Sequence, residues 1–276
     1  MRLDTNTNCR TVVVTTLAGA ARADALAIEE PLEIRLGHGP LTRRSRTRLT
    51  ITLRTPGCDR ELVFGLLLSE GVIHDAADVI AIDAVGPNLL HVDLAPTVAV
   101  DPTQFQRSFA STSSCGLCGR TMLDAIEAAC EPVASTLIVD VQIIHRLPGK
   151  LRAAQLQFAQ TGGVHAAGLF DAEGGLLSVR EDVGRHNAVD KVLGAELAAG
   201  RCRLPDRVLV VSGRAGYELV QKAARFGVPV MAAVGAPTTL AVDLAHALGV
   251  TLLGFVRDGR GNCYSHPERL RFDVAR

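Results

Sequence analysis

The sequence contains no tryptophan, and aromatic residues make up 4% of its 276 positions. That excludes an aromatic platform for single-stranded nucleic acid, which needs ring faces along a basic groove. An excess of one charge sign is missing as well. Lys plus Arg and Asp plus Glu both number 29, so no global field draws in nucleic acid or anionic lipid. An anionic ligand must be met by local clusters. No apolar run reaches the roughly 18 residues of a membrane helix. The polar start, MRLDTNTNCR, lacks the apolar stretch of a secretory signal. The expectation is a cytoplasmic chain without membrane insertion. GxGxxG and GxxxxGK[ST] are both absent, which leaves dinucleotide-redox and P-loop readings unsupported. The one dense basic run, TRRSRTR at 42–48, reads as a solvated loop entering a strand.

The cysteines number seven, and Cys9, Cys58, Cys130, Cys202 and Cys263 stand alone. An odd count of isolated thiols argues for reduced cysteines rather than a disulfide framework. The other two are Cys115 and Cys118 in STSSCGLCGR, residues 111–120. A CxxC opening a helix has a depressed thiol pKa, and the thiolate is the reactive form. Arg120 adds a cation, and Gly116 and Gly119 permit mobility and close approach. The pair could bind metal, exchange electrons or carry sulfur. A tetrahedral zinc site needs two further ligands, and neither a second CxxC nor an HxxxH pair exists. No metal ligands are assigned.

The first part of the chain reads as short strands (11–16, 31–36 and 48–55), a helix between Pro56 and Gly71, and two more strands (78–85 and 89–95). This is an α+β unit over residues 1–110. Beyond the cysteines, MLDAIEAAC reads as a helix, and VQIIHRLPGKLRAAQLQF as a second one interrupted near Pro148. From residue 163 strands alternate with helices, and the last three strands are almost wholly apolar, as in a partly parallel sheet covered on both faces. The fold class is therefore α/β, with residues 111–276 forming the larger unit, packed against the first.

Four stretches of that unit carry candidate chemistry. In TGGVHAAGLF, Gly162 and Gly163 precede a strand bearing His165, ordinarily a structural histidine but able to orient or protonate a ligand. In REDVGRHNAVDKV, a helix starting near Asp182 would align Asp182, His186 and Asp190 on one face. Ser212, Gly213 and Arg214, and then Gly235, Ala236 and Pro237, sit between an apolar strand and the following helix start. Ligands of open α/β sheets bind there, and helix N-termini present free N–H groups to phosphate. Finally, Phe255, Val256, Arg257, Asp258, Gly259 and Arg260 run from a strand into a glycine- and arginine-rich loop suited to phosphate or guanine.

The ordered set CGLCG, TGGVHAAGLF, EDVGRHNAVDK, SGRAGYELVQKAARFGVPV, GAPTTLAVDLA and GFVRDGRGN closely resembles the formate dehydrogenase accessory sulfurtransferase family, FdhD or NarQ. The resemblance implies a carrier that takes sulfur from a cysteine desulfurase as a persulfide on Cys115, with Cys118 assisting. The sulfur passes to a bis(molybdopterin guanine dinucleotide) cofactor, which activates formate dehydrogenase. It also implies a three-layer, cytidine-deaminase-like C-terminal domain that binds guanine nucleotides as mimics of the cofactor, and contact with the cofactor along Phe255–Arg260. The family and the apolar N-terminal strands point to a homodimer. Deaminase chemistry itself is excluded, because His165 is followed by Ala166 and Ala167 rather than by the HxE acid. The alternative function is an escort protein that holds the cofactor without transferring sulfur.

Overall fold

The computed structural model describes residues 8–100 and 130–272. A two-stranded ribbon comes first, β1 (Cys9–Thr15) against β2 (Ala21–Ala27), the latter unforeseen because ARADALA has no β-branched residue. A four-stranded sheet follows: β3 (Glu30–His38), β4 (Ser45–Arg54), β5 (Val79–Gly86) and β6 (Leu89–Leu94), in the order β4-β3-β6-β5. In the basic run before β4, Arg44 is no solvated charge. It donates to the carbonyls of Gly37, Gly39 and Leu94 and to Asp93, tying β3 to β6.

Helix α1 (Asp59–Ser69) starts after Pro56 and stops before Gly71, which adopts φ 70. Every residue from Leu62 to Ser69 is buried, since the helix is sandwiched between that sheet and a later helix, α4 (Arg185–Ala198). The two helices touch at Gly65 and Gly194. A Cβ on Gly65 would overlap the Asp190 carbonyl, and one on Gly194 would overlap the Glu61 carbonyl. Only glycine allows backbones this close.

The larger sheet has six strands: β8 (His165–Phe170), β9 (Leu176–Asp182), β10 (Val208–Val211), β11 (Val230–Ala233), β12 (Thr251–Arg257) and β13 (Arg260–Cys263). Their order is β13-β12-β11-β10-β8-β9, and β10, β11 and β12 are mutually parallel. Period-two alternation sends Val208, Val210 and Val230 into one cluster and Leu209, Val211 and Met231 into another. The second of these clusters is continuous with the N-terminal sheet and includes α4, α5 (Tyr217–Arg225) and α6 (Thr239–Ala247), so both halves of the chain share one core. The opposite face is covered by α2 (Val141–Ala154), which follows the two-residue strand β7 (Val139–Asp140), paired with β14 (Leu270–Arg271).

Three sequence expectations change here. Helix α2 passes through Pro148 and breaks at Gln155 instead, before the short α3 (Leu156–Thr161). Proline removes one backbone donor, and the apolar face Ile144–Leu147–Leu151 that α2 buries on the sheet holds the helix together across it. The segment after Arg257 is a hairpin rather than a loop. Arg257 pairs with Arg260 across a two-residue turn in which Asp258 and Gly259 have φ 52 and 71, the geometry that Asp-Gly favours. And α4 starts at Arg185, three residues later than expected: Asp182 is the last residue of β9, facing His165, and Gly184 is the extended N-cap. The expected helix MLDAIEAAC begins outside the described residues and reaches them only at Cys130.

Candidate functional site

The parallel strands place the three strand-end segments side by side. Gly235 N–H donates to the Gly213 carbonyl at 2.9 Å, and Phe255 N–H donates to the Gly235 carbonyl at 3.0 Å, extending the ladder past the strand ends. Ser212 is fixed to β8: its N–H donates to the Ala166 carbonyl and its Oγ accepts from Ala166 N–H at 2.9 Å. Gly213 lies so close to His165 that a Cβ there would stand 3.4 Å from Nδ1. Phe255 occupies the left-handed region at φ 55 within a β-bulge and stays 41% exposed. A bulky residue in that conformation is strained, and Phe255 is not among the residues that line the neighbouring cavity.

These segments border a cavity of about 1110 Å³. His165, Ser212, Arg257, Asp258 and Gly259 line it, together with Gly162 and Gly163. Its remaining wall comes from α2 and α3, with His145, Arg146, Lys150, Arg152 and Phe158. That wall was missed in the sequence. The signal was present, since HRLPGKLR puts four basic residues, His145 included, within eight, but the stretch reads in sequence only as a helix interrupted near Pro148.

Other expected residues stand back from the cavity. Gly213, Gly235, Ala236 and Pro237 form the backbone frame behind it, with Pro237 packed on Gly254. Arg214 and Arg260 are exposed and outside the lining. Val256 is 1% exposed in the cluster beneath α2, so only its backbone is available to a ligand. His186 does not face the cavity: its Nε2 pairs with Glu218 on α5 at 3.0 Å. The trio Asp182, His186 and Asp190 is accordingly split among three partners, Lys191, Glu218 and Lys222. Cys115 and Cys118 lie outside the described residues.

Burial, and then the neighbouring Arg185 and His186, lower the His165 pKa, with Asp182 opposing. The ring at the cavity floor is thereby held neutral near pH 7, able to accept or donate one hydrogen bond at each nitrogen. Among the described residues, Cys9, Cys58, Cys130, Cys202 and Cys263 are free thiols, and no group of three His, Cys, Asp or Glu side chains is placed to hold a metal. What the arrangement offers is a roomy, cationic, glycine-edged cleft at the carboxyl ends of three parallel strands, where ligands of open α/β sheets bind.

A model of the FdhD/NarQ family matches residues 27–271. A sulfur carrier protein FdhD from Nocardia farcinica is 48% identical over 276 residues, covering 95% of this chain and 94% of that one. The protein of the same name from Mycobacterium tuberculosis is 44% identical over 263 residues, covering 90% and 92%. Among solved structures, one described provisionally as a formate dehydrogenase accessory protein, from Desulfotalea psychrophila, superimposes with a TM-score of 0.73. It is 25% identical, over 95% of this chain and 98% of that chain.

Proposed function

The chain belongs to the FdhD/NarQ family, and from that premise we propose that it is a sulfur carrier serving formate dehydrogenase. In this reading, Cys115 accepts sulfur from a cysteine desulfurase. Its thiolate attacks the terminal sulfur of the donor persulfide, a new S–S bond forms at Cys115, and the donor thiolate leaves. No net oxidation occurs. The acceptor is the molybdenum of a bis(molybdopterin guanine dinucleotide), which is cargo, bound in the cavity bordered by His165, Ser212 and Arg257–Gly259. Attack of the Cys118 thiolate on the inner sulfur of the persulfide would expel hydrosulfide and leave a Cys115–Cys118 disulfide, a balanced route for release.

The observation that carries this reading is the match to sulfur carriers over nine-tenths or more of both chains, at 44–48% identity. The cleft supports it independently, since its position and cationic lining suit a large nucleotide-bearing ligand. We also read residues 1–110 and 111–276 as two units, the second layered like a cytidine deaminase. The sheet covered on both faces fits that reading. The test is mass spectrometry after incubation with a cysteine desulfurase and cysteine. One added sulfur atom is expected on the wild type and none on Cys115→Ala. Equal labelling of both would sink the assignment of Cys115.

A further inference from the structure

A second cavity, of about 230 Å³, lies away from the cleft and shares no lining residue with it. It is lined by Ile73 and His74 beyond α1, by Glu131, Cys202 and Arg203, and by Arg225 at the end of α5. We propose that it is a binding site for a small, doubly charged oxoanion, phosphate or sulfate, held between the guanidiniums of Arg225 and Arg203. The site goes beyond the sulfur-carrier reading and does not rest on it.

Arg225 carries the inference. Its Nε is buried without a hydrogen-bond partner, and the side chain takes part in no ion pair among the described residues. Arg207 and Arg269 also bury an Nε, but their Nη atoms donate to Asp206, Thr251 and Val133. A cation in the last turn of α5 is favoured by the helix macrodipole. That effect does not account for an Nε turned away from water with nothing to receive it, which costs about 1–3 kcal/mol or more for a charged group. The guanidinium rests against bare backbone: Gly71 has φ 70, and a Cβ there would stand 3.2 Å from Arg225 Nη2. Arg225 falls within SGRAGYELVQKAARFGVPV, yet no step of the proposed sulfur transfer uses it.

A second guanidinium converges on the same space. Arg203 Nη2 donates to Glu131 at 2.9 Å, but the two side chains are 51% and 83% exposed. An exposed pair of this kind contributes about 1 kcal/mol or less, so an arriving dianion can displace Glu131, the one carboxylate of the lining. The Arg203 stem is braced on Gly227, at φ 65, where a Cβ would lie 3.3 Å from Cδ. Burial raises the pKa of the adjoining Cys130 thiol, and Arg225 and then Arg203 oppose it. Both positive charges therefore act on one neighbourhood. Two guanidinium forks from separate segments suit a tetrahedral oxoanion, which can accept from both at once. At about 230 Å³ the cavity is smaller than the roughly 300 Å³ at which sites for drug-sized ligands begin, which excludes a nucleotide.

The test is an NMR titration of the full, isotope-labelled chain with phosphate, with chloride adjusted to hold ionic strength constant. The amides of Gly71, His74 and Arg203 should shift together and saturate, with a dissociation constant of about 1 mM or tighter. The amides of Gly162 and Gly259 report the cleft separately. Arg225→Met should abolish the saturating shifts while leaving the melting temperature in phosphate-free buffer unchanged or raised, because it removes an unpartnered buried donor. An arginine that only braced Gly71 would lower the melting temperature on removal and leave the phosphate shifts as they were. Arg203→Gln, and Arg225→Lys, which keeps the charge but loses the fork, should each weaken phosphate about tenfold. Sulfate should bind as phosphate does, and acetate binding equally tightly would overturn the assignment to a dianion. Wild-type shifts that never saturate, or phosphate affinities within twofold of wild type in all three variants, would overturn the site.

Discussion

Substituting Lys191→Met tests how the two halves of the chain are joined next to the cavity. Lys191 is 2% exposed, and its Nζ lies 2.7 Å from Asp182, itself 0% exposed. The same ammonium donates to the Thr55 carbonyl at 2.7 Å, while Thr55 N–H donates to Asp182 Oδ2 at 3.1 Å. Asp182 Oδ1 accepts from Gly184 N–H at 2.8 Å and from the Asn187 amide at 3.1 Å. The pair therefore stitches the end of β4 to the end of β9 and the start of α4, and Asp182 faces His165 in the β8–β9 register.

Removing only the ammonium leaves a carboxylate with no access to water, which costs about 3–5 kcal/mol. Against a total stability of roughly 5–15 kcal/mol, that is a large fraction. With a urea slope of about 3 kcal/mol/M for a chain of this size, the midpoint should fall by on the order of 1 M or more. The double variant Asp182→Asn/Lys191→Met removes both charges and keeps an acceptor for Gly184. It should recover most of the loss, because a buried ion pair contributes little net stability over a neutral replacement. Far-UV circular dichroism is the probe, since the chain has no tryptophan to report by fluorescence. A double variant no more stable than Lys191→Met would refute the view that the uncompensated charge, rather than lost packing, is what destabilises.

Three further outcomes are expected. Gly194→Ala should destabilise by about 1–3 kcal/mol by forcing α4 away from α1, whereas a neutral result in the same urea titration would mean that the helices can part freely. The Glu218 carboxyl is held down to about 2, chiefly by the hydrogen bond from His186 and against its own burial. Its contribution is present above the unfolded carboxylate value and is lost as pH falls towards about 2, so the gap in urea midpoint between wild type and Glu218→Gln should narrow from pH 7 to pH 2.5. His165 should titrate below its ordinary value of 6.5, because burial and then Arg185 disfavour its cation. The unfolded chain takes up that proton first, so the effect costs stability as pH falls. NMR of Arg185→Gln should show the His165 midpoint rising, and a fall would contradict the electrostatic assignment.

Much of the fold was legible in the sequence because its elements carry their own punctuation. Pro56 and Gly71 bracket α1, and the apolar runs 208–211, 230–233 and 251–254 read as buried parallel strands. Once those strands are parallel, their carboxyl ends must share an edge, which is why Ser212, Gly235 and Phe255 could be grouped without coordinates. Sequence reasoning failed where a tertiary contact outweighed a local signal. Pro148 did not interrupt α2, because Leu147 and Leu151 on either side of it are buried on the sheet. Asp182, His186 and Asp190 fit a helical period, but β9 pairing with β8 claimed the first of them before the helix began.

The cavity wall of α2 was hidden for a different reason. Periodicity separates a helix's apolar face from its polar one, but it cannot tell a polar face turned to open solvent from one turned to a cleft. That distinction needs the neighbour across the gap, and here the neighbour is the Asp258–Gly259 turn. The turn exists because β12 folds back into β13. The cationic face of α2 and the glycine-rich hairpin are some 110 residues apart in sequence. They meet because one covers the sheet and the other caps its strand ends. In the function proposed above, the cleft of helix and sheet would hold the anionic acceptor, and Cys115, in another stretch of the sequence, would deliver the sulfur atom.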